Sequence, residues 1–384
     1  MHVTLLALTA SPVPAGPILL VANSSWNLAH QRAGLVRGLR AAGHRLEAVV
    51  PEGNADVPGL VTHRVPLIAD GTAPLAELRS ILALIRLFRA VQPAVVLSFT
   101  PKGNLYAGLA ARATGVPLLP NVSGLGTGFI RGGLLLKVQA AMYREAFRGL
   151  PTIFFQNRDD ATLFETKGLV RRGQVALLPG SGVDCRAFRA TPLKPRAPGE
   201  AELLFVGRLL GDKGVRELAE AMRLLKPRHP GLRLTLLGEL GAQNRTAIGA
   251  DELAAWVAEG LVTHAGRTDD VRPHIAAADA VILPSYREGM PKALLEAAAM
   301  GRPLLAADVP GCREIVRDGM NGLLFEVRSA TSIAEAVERF LAAGPAQWQQ
   351  WGREARVIAE REYDERLVVA AYARQVIALT GKAA

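Results

Sequence analysis

The stretch Pro284-Ser-Tyr-Arg-Glu-Gly-Met-Pro-Lys-Ala-Leu-Leu-Glu-Ala-Ala-Ala-Met-Gly-Arg-Pro-Leu-Leu-Ala306 reads as a strand end, a tight turn, a helix and the next strand. Gly289 gives the turn its backbone freedom, and Pro291 suits the first helical position, where a missing N–H costs no hydrogen bond. A turn entering a helix offers amides to an anion. Glu288 stands just before this helix and Glu296 inside it. Carboxylates around an anion site suit a ligand carrying both phosphate and hydroxyl groups, and a nucleotide sugar is such a ligand.

Outward from this stretch the same alternation fills the chain. Apolar runs at residues 18–22, 46–50, 94–99, 117–119 and 152–155 are separated by helical patterns at 28–42, 75–91, 105–113 and 134–147. The second half repeats it, with strands at 203–206, 232–237, 261–263, 280–283, 303–306 and 323–325 and helices near 214–226, 271–278, 291–300 and 332–342. Strands alternating with helices predict α/β architecture with parallel sheets. Thr191-Pro-Leu-Lys-Pro-Arg-Ala-Pro-Gly199 is proline-rich and aperiodic, which predicts a linker. The expected organisation is an N-terminal extension (1–16), a first domain (17–190), the linker (191–199), a second domain (200–346) and C-terminal helices (347–384) packing back toward the first domain. Ligands of doubly wound sheets bind beyond the carboxyl ends of the strands, so two Rossmann-like domains are expected to face one another across a cleft.

A chain of 384 residues, 49% hydrophobic and 21% charged, is a normal globular composition for two or three domains. Its two cysteines, Cys185 and Cys312, form no metal or disulfide pattern and read as small buried apolar residues in a reducing compartment. The start of the chain lacks the basic segment of a secretory signal, and no apolar stretch is long enough to span a bilayer. Residues 1–190 carry 20 Lys and Arg against 10 Asp and Glu, whereas the remainder carries 25 of each, so the formal excess of +10 lies in the first half. That asymmetry suits either an anionic partner or a solvated basic surface. Few aromatics interleave the charges and no nucleic-acid motif is present, so no nucleic-acid partner is expected.

In Leu204-Phe-Val-Gly-Arg-Leu-Leu-Gly-Asp-Lys-Gly-Val215 a strand ends at Gly207, and Arg208 and Lys213 flank the turn that follows. They lie on the same domain edge as Glu288 and are placed to neutralise a diphosphate, Arg as a flat fork and Lys as a compact charge. No Asp-x-Asp pair occurs anywhere in the chain. The usual carboxylate clamp for a sugar-nucleotide metal is therefore missing, no metal is expected, and cations and helix amides must stabilise the leaving diphosphate.

The set Val206-Gly-Arg-Leu-Leu-Gly-Asp-Lys-Gly214, Ala265-Gly-Arg-Thr-Asp-Asp-Val271, Pro284–Pro291 through Leu295-Glu-Ala297, and Val309-Pro-Gly-Cys-Arg-Glu314 through Asp318-Gly-Met-Asn-Gly322 resembles the family-4 retaining glycosyltransferases of GT-B fold. The likeness runs over nearly the whole chain beyond Gly16, and its Glu-x7-Glu element with the paired Arg and Lys is its most specific part. The resemblance implies a catalytic set of Glu288 at the donor sugar's hydroxyls with Arg208 and Lys213 at the phosphates. It implies donor contacts from Gly207, Gly289, Met290 and Pro291, from Glu296 at the ribose, and from Gly266 and Arg267 beside the base. The co-substrate implied is a UDP-sugar, with no cofactor and no metal.

In the first half, Asn23-Ser-Ser-Trp-Asn-Leu-Ala-His-Gln-Arg32, Ser98-Phe-Thr-Pro-Lys-Gly-Asn104, Asn121-Val-Ser-Gly-Leu-Gly-Thr-Gly-Phe129, Phe155-Gln-Asn-Arg-Asp-Asp160 and Pro179-Gly-Ser-Gly-Val-Asp184 are similar to the branch that builds bacterial capsule, O-antigen and N-glycan precursors on undecaprenyl diphosphate. Acceptor-side candidates are Ser25, Trp26, His30, Lys102, Ser123, Gly124 and Gly126. His30 reads either as a packed helix histidine or as an acceptor contact, and Lys102 either as a diphosphate ligand or as a solvated loop lysine. Two features depart from the family. Asn121–Gly124 stands where many members carry a histidine, and the first turn offers Ser24, Ser25 and Trp26 in place of paired glycines. Gly124-Leu-Gly-Thr-Gly128 also passes for a dinucleotide fingerprint but has Phe129 for the third glycine, and no acidic residue ends a strand about 20 positions later. The helix at 133–149, with Lys137, Arg144 and Arg148 beside apolar residues, suits either an anionic membrane or the core.

The expected activity is retaining transfer of an N-acetylhexosamine (GalNAc or GlcNAc) from a UDP-sugar to a polyprenyl-diphosphate-linked saccharide. The expected place is the inner face of the cell membrane, reached from the cytoplasm and touched peripherally by the basic first domain. The rivals are a UDP-N-acetylhexosamine epimerase of the same fold and a catalytically inert nucleotide-sugar-binding protein.

Overall fold

The computed structural model describes residues 16–67, 74–125, 133–241 and 244–381. The proposed N-terminal extension lies outside these residues except for Gly16. The chain divides into two compact units, one of residues 1–182 with 365–384 and the other of residues 183–364.

The first unit contains β1 (Ile18–Val21), α1 (Ala33–Ala41), β2 (Leu46–Pro51), β3 (Val61–Val65), α2 (Pro74–Val91), β4 (Val95–Phe99), α3 (Pro101–Thr114), β5 (Leu118–Val122), α4 (Gly133–Ala146), β6 (Ile153–Phe155), α5 (Arg158–Thr166) and β7 (Val175–Leu177). Its seven strands lie in the order β3-β2-β1-β4-β5-β6-β7, every pair parallel. Central strands such as β4 are buried along their whole length, as continuous apolar runs covered on both faces must be. Sequence periodicity missed β3 and β7. Both are edge strands: β3 is interrupted by polar residues, and β7 is only three residues long and none of them is fully buried. The helical pattern at 28–42 divides into a π-helical turn at Asn27–Gln31 and α1, with a buried Arg32 between them.

The second unit contains β8 (Ala201–Val206), α6 (Val215–Leu225), β9 (Leu232–Leu237), α7 (Ala250–Ala258), β10 (Thr263–His264), α8 (Arg272–Ala277), β11 (Ala280–Leu283), α9 (Lys292–Ala299), β12 (Leu304–Ala307), α10 (Cys312–Ile315), β13 (Gly322–Phe325) and α11 (Ala330–Ile358). Its order, β10-β9-β8-β11-β12-β13, is again parallel throughout. Both sheets thus reverse direction beside their first strand, between β1 and β4 and between β8 and β11. A crevice for ligand opens at such a switch point.

The boundaries differ from the sequence expectation. The segment 191–199 is not a free linker, because Arg302, wholly buried, donates to the carbonyls of Thr191 (2.7 Å), Ile275 (2.9 Å) and Ala276 (3.0 Å), and Arg196 pairs with Asp279 at 2.9 Å. These bonds stitch the segment into the second unit, and the first unit ends at Gly182 rather than residue 190. Residues 347–364 also stay in the second unit, within α11, which bends at Gly344 and Pro345, and a following π-helical turn. Only α12 (Glu365–Thr380) joins the first unit, burying Val368, Tyr372 and Val376 at helical spacing against the β-sheet face that α1 also covers. Gly38 permits this approach, because a Cβ there would lie 2.5 Å from Val369.

Of the two readings of the helix at 133–149, the core one describes its buried side chains. Ala140, Tyr143, Ala146 and Phe147 pack in the core of the first unit, and Val138 is the large apolar side chain of α4 left exposed among those described. No helix among the described residues is long and apolar enough to cross a membrane.

Candidate active site

At the second switch point the ends of β8 and β11 lie side by side, with Leu204 in register with Val281. Arg208 and Lys213 follow β8, and the opening stretch follows β11. The two turns touch. Tyr286 N–H donates to the carbonyl of Asp212 at 2.9 Å, and a Cβ on Gly214, whose φ is 72°, would lie 2.1 Å from the carbonyl oxygen of Pro284. Only glycine fits, on both conformational and steric grounds. Gly311 (φ 80°) does the same from the other side, where a Cβ would lie 2.5 Å from the carbonyl oxygen of Gly289. The phosphate-type turn is therefore gripped by two neighbouring turns.

This packing brings Lys213 and Glu288, 75 residues apart, into a direct ion pair in a partly buried position. Arg208 is exposed, with no ion-pair partner among the described residues. Pro291 occupies the cap position rather than the first helical one. It has extended ψ (115°), and its carbonyl accepts from Leu294 at 3.1 Å. The helix begins at Lys292, and its first-turn amides have no intrahelical acceptor. Met290 packs on the second unit's core and fixes the turn beneath.

Glu296 lies in α9 and is 9% exposed. Burial pushes its carboxyl from the usual 4.5 up to about 7, the ammonium of Lys292 at 3.7 Å pulls it down, and Asp270 adds to the rise. The Lys292 ammonium only partly offsets the cost of burying this carboxylate. Gly266 (φ 72°) ends the neighbouring strand, and its carbonyl accepts from Gly238 N–H at 2.8 Å, while Gly207 N–H donates to Leu237. Arg267 is exposed, 3.9 Å from Asp269.

Three further residues shape this site. Tyr286 donates its hydroxyl to Glu217 at 2.5 Å and lies under the guanidinium of Arg328, 4.4 Å from the ring centre; burial first, then Glu217, pushes its hydroxyl up to about 12, so it remains a donor. Gly311 and Lys292 complete the set. All three belong to stretches the sequence already singles out, but their roles depend on contacts between turns. Cys312 and Cys185 form no disulfide and are buried, and burial beside Glu288 raises the Cys312 thiol well above its usual value, so it is a poor nucleophile.

In the first unit, the ends of β1 and β4 carry Ser25, Trp26 and Lys102. Ser25 N–H donates to Asn54 at 3.0 Å, and Lys102 lies 3.4 Å from Glu77. His30 is exposed rather than packed and stacks on Trp26 with ring centres 5.0 Å apart. Ser123 is half-buried and Gly124 follows it beyond β5. Gly126 lies outside the described residues, as does most of the glycine-rich loop. Asn121, the first residue of the stretch where the family carries a histidine, is buried and donates to Tyr372 of α12 at 2.9 Å.

Comparison with known proteins places this arrangement. The profile of the family "Glycosyl transferases group 1" matches residues 200–343, and that of "Glycosyl transferase 4-like domain" matches residues 29–180. A glycogen synthase of Mycobacterium tuberculosis is 31% identical over 68% of this chain, and the match spans 63% of that relative's length. An N,N'-diacetylbacillosaminyl-diphospho-undecaprenol alpha-1,3-N-acetylgalactosaminyltransferase of Campylobacter jejuni is 24% identical, covering 70% of this chain and 73% of its own. The structure of Anabaena HepE in complex with UDP and glucose superposes with a TM-score of 0.77 at 16% identity, over 94% of this chain and all of that one. The chain belongs to the family-4 type of glycosyltransferases, with the GT-B fold of two Rossmann-like units.

Proposed function

We propose that the protein is a retaining, metal-independent glycosyltransferase that moves a sugar, an N-acetylhexosamine such as GalNAc or GlcNAc, from a UDP-sugar to a polyprenyl-diphosphate-linked saccharide at the inner face of the membrane. The observation that carries the reading is the contact of Lys213 with Glu288 at the second switch point, beside the unpaired Arg208 and the buried Glu296. Diphosphate bound by Arg208 and Lys213 releases Glu288 to accept from the sugar's hydroxyls, and Glu296 accepts from the ribose. In retention by front-face attack, the leaving phosphate oxygen takes the acceptor's proton while the two cations stabilise its charge.

The lipid-linked acceptor is supported by the Campylobacter relative's own substrate and by the basic first unit. An epimerase needs titratable groups to move a proton at C2 of the sugar, and the described first-unit loops place no such set beside one another. The test incubates the protein, in EDTA, with a panel of UDP-sugars and undecaprenyl-linked acceptors and follows UDP release. Release with one sugar only when acceptor is present supports the transferase. Isomerised sugar without acceptor selects the epimerase, and binding without turnover in any combination selects the inert binder.

A further inference from the structure

The α2 helix leaves an unusual face uncovered. Leu75, Leu78 and Leu82 are 81%, 51% and 41% exposed, although the opposite face buries Ser80, Leu84 and Phe88 in the core. At 100° per residue, these leucines share an arc of about 100° with Arg79, Arg86 and Arg89, so leucines lead at the N-terminal end and arginines at the C-terminal end. From Leu75 to Arg89 the stripe runs about 21 Å.

Some exposed arginines of the second unit are paired, such as Arg216 with Glu252 at 2.7 Å and Arg313 with Asp308 at 2.8 Å. Arg79, Arg86 and Arg89 have no ion-pair partner among the described residues. The one acid on α2, Glu77, turns to Lys102 on α3. Unpaired cations interleaved with exposed leucines match a surface with phosphate groups above an apolar layer.

We propose that this face of α2 is where the protein seats on an acidic phospholipid bilayer, leucines entering the acyl boundary and arginines meeting headgroup phosphates. The inference rests on the lipid-linked-acceptor reading and deepens it. Glu77 lies on the opposite side of the helix, toward α3, so the stripe itself carries no acid.

The test uses the full chain, its R79Q/R86Q/R89Q and L75S/L78S/L82S variants, and vesicles of phosphatidylcholine with or without phosphatidylglycerol. The expected result is binding to acidic vesicles that weakens with salt, and a loss of about tenfold to a hundredfold in each triple variant. All six positions face solvent or the helix surface, so unchanged circular dichroism and unchanged turnover of a water-soluble short-prenyl acceptor are expected of both variants. Vesicle binding by the variants as tight as the parent's overturns the proposal while leaving the acceptor reading standing. So does a parent that binds neither vesicle, the acceptor reading then being judged by turnover of the undecaprenyl substrate in detergent. A parent dimer that the leucine variant dissolves, with vesicle binding unchanged, overturns it in favour of a second copy.

Discussion

Replacing Glu296 by Gln is expected to make the protein more stable and worse at binding its donor, with both effects depending on pH. The folded carboxyl is raised from 4.5 to about 7, mainly by burial, so the fold prefers its neutral form. Stability from this group is complete below about 4.5, is lost as the pH rises toward 7, and stays lost above. The loss corresponds to about 3 kcal/mol. Glutamine does not titrate. The variant should match the parent near pH 5 and exceed it by up to about 3 kcal/mol at pH 8, or roughly 6–12 °C in the melting temperature of a unit of this size. Lys292 loses the carboxylate charge 3.7 Å away in the variant, which makes this an upper bound. Conversely, parental affinity for UDP should rise through pH 7 as the carboxylate forms and accepts from the ribose, while the variant binds weakly and without that slope. Thermal unfolding and calorimetric titration with UDP between pH 5 and 8 check both. Melting curves that shift in parallel for the two proteins across this range would refute the claim that burial of Glu296 is costly.

Lys213→Ala removes a partly exposed pair, so stability should change by no more than about 1 kcal/mol, while kcat/KM for transfer falls at least about a hundredfold; full activity in the folded variant sinks the proposed donor site. Gly214→Ala adds the clash with Pro284 to the roughly 1–2 kcal/mol of a left-handed residue, and Gly241→Ala, with a similar φ but open space around it, should show the strain alone in a melting comparison. Arg302→Lys forfeits the fork that serves Thr191, Ile275 and Ala276 and is expected to cost about 3 kcal/mol in urea unfolding, with UDP affinity unchanged because Arg302 lies away from the strand ends that bear the site.

Much of the fold was legible because buried parallel strands must be apolar along their length. Strands of the second unit such as Ala280–Leu283 and Leu304–Ala307 announced themselves in this way. The edge strands Val61–Val65 and Val175–Leu177, half exposed, did not. The short helix Ala250–Ala258 also escaped, for it buries only Leu253 and Trp256. At the site, residue types and spacing singled out Glu288, Glu296, Arg208 and Lys213 as candidates. Pro291 was placed one position too far into its helix, because cap and first-turn positions differ by a ψ angle that proline does not dictate.

The sequence by itself determined that two α/β sheets form and that a glycine-bearing turn with two carboxylates opens a helix, since both follow from local periodicity and turn chemistry. Tertiary structure alone decided that Lys213 meets Glu288 across 75 residues, that Glu296 titrates near neutrality, that residues 191–199 belong to the second unit, and that α2 turns three leucines outward. Each depends on which surfaces are covered by elements distant in the chain, and burial of that kind is a property of the packed whole that no local pattern carries.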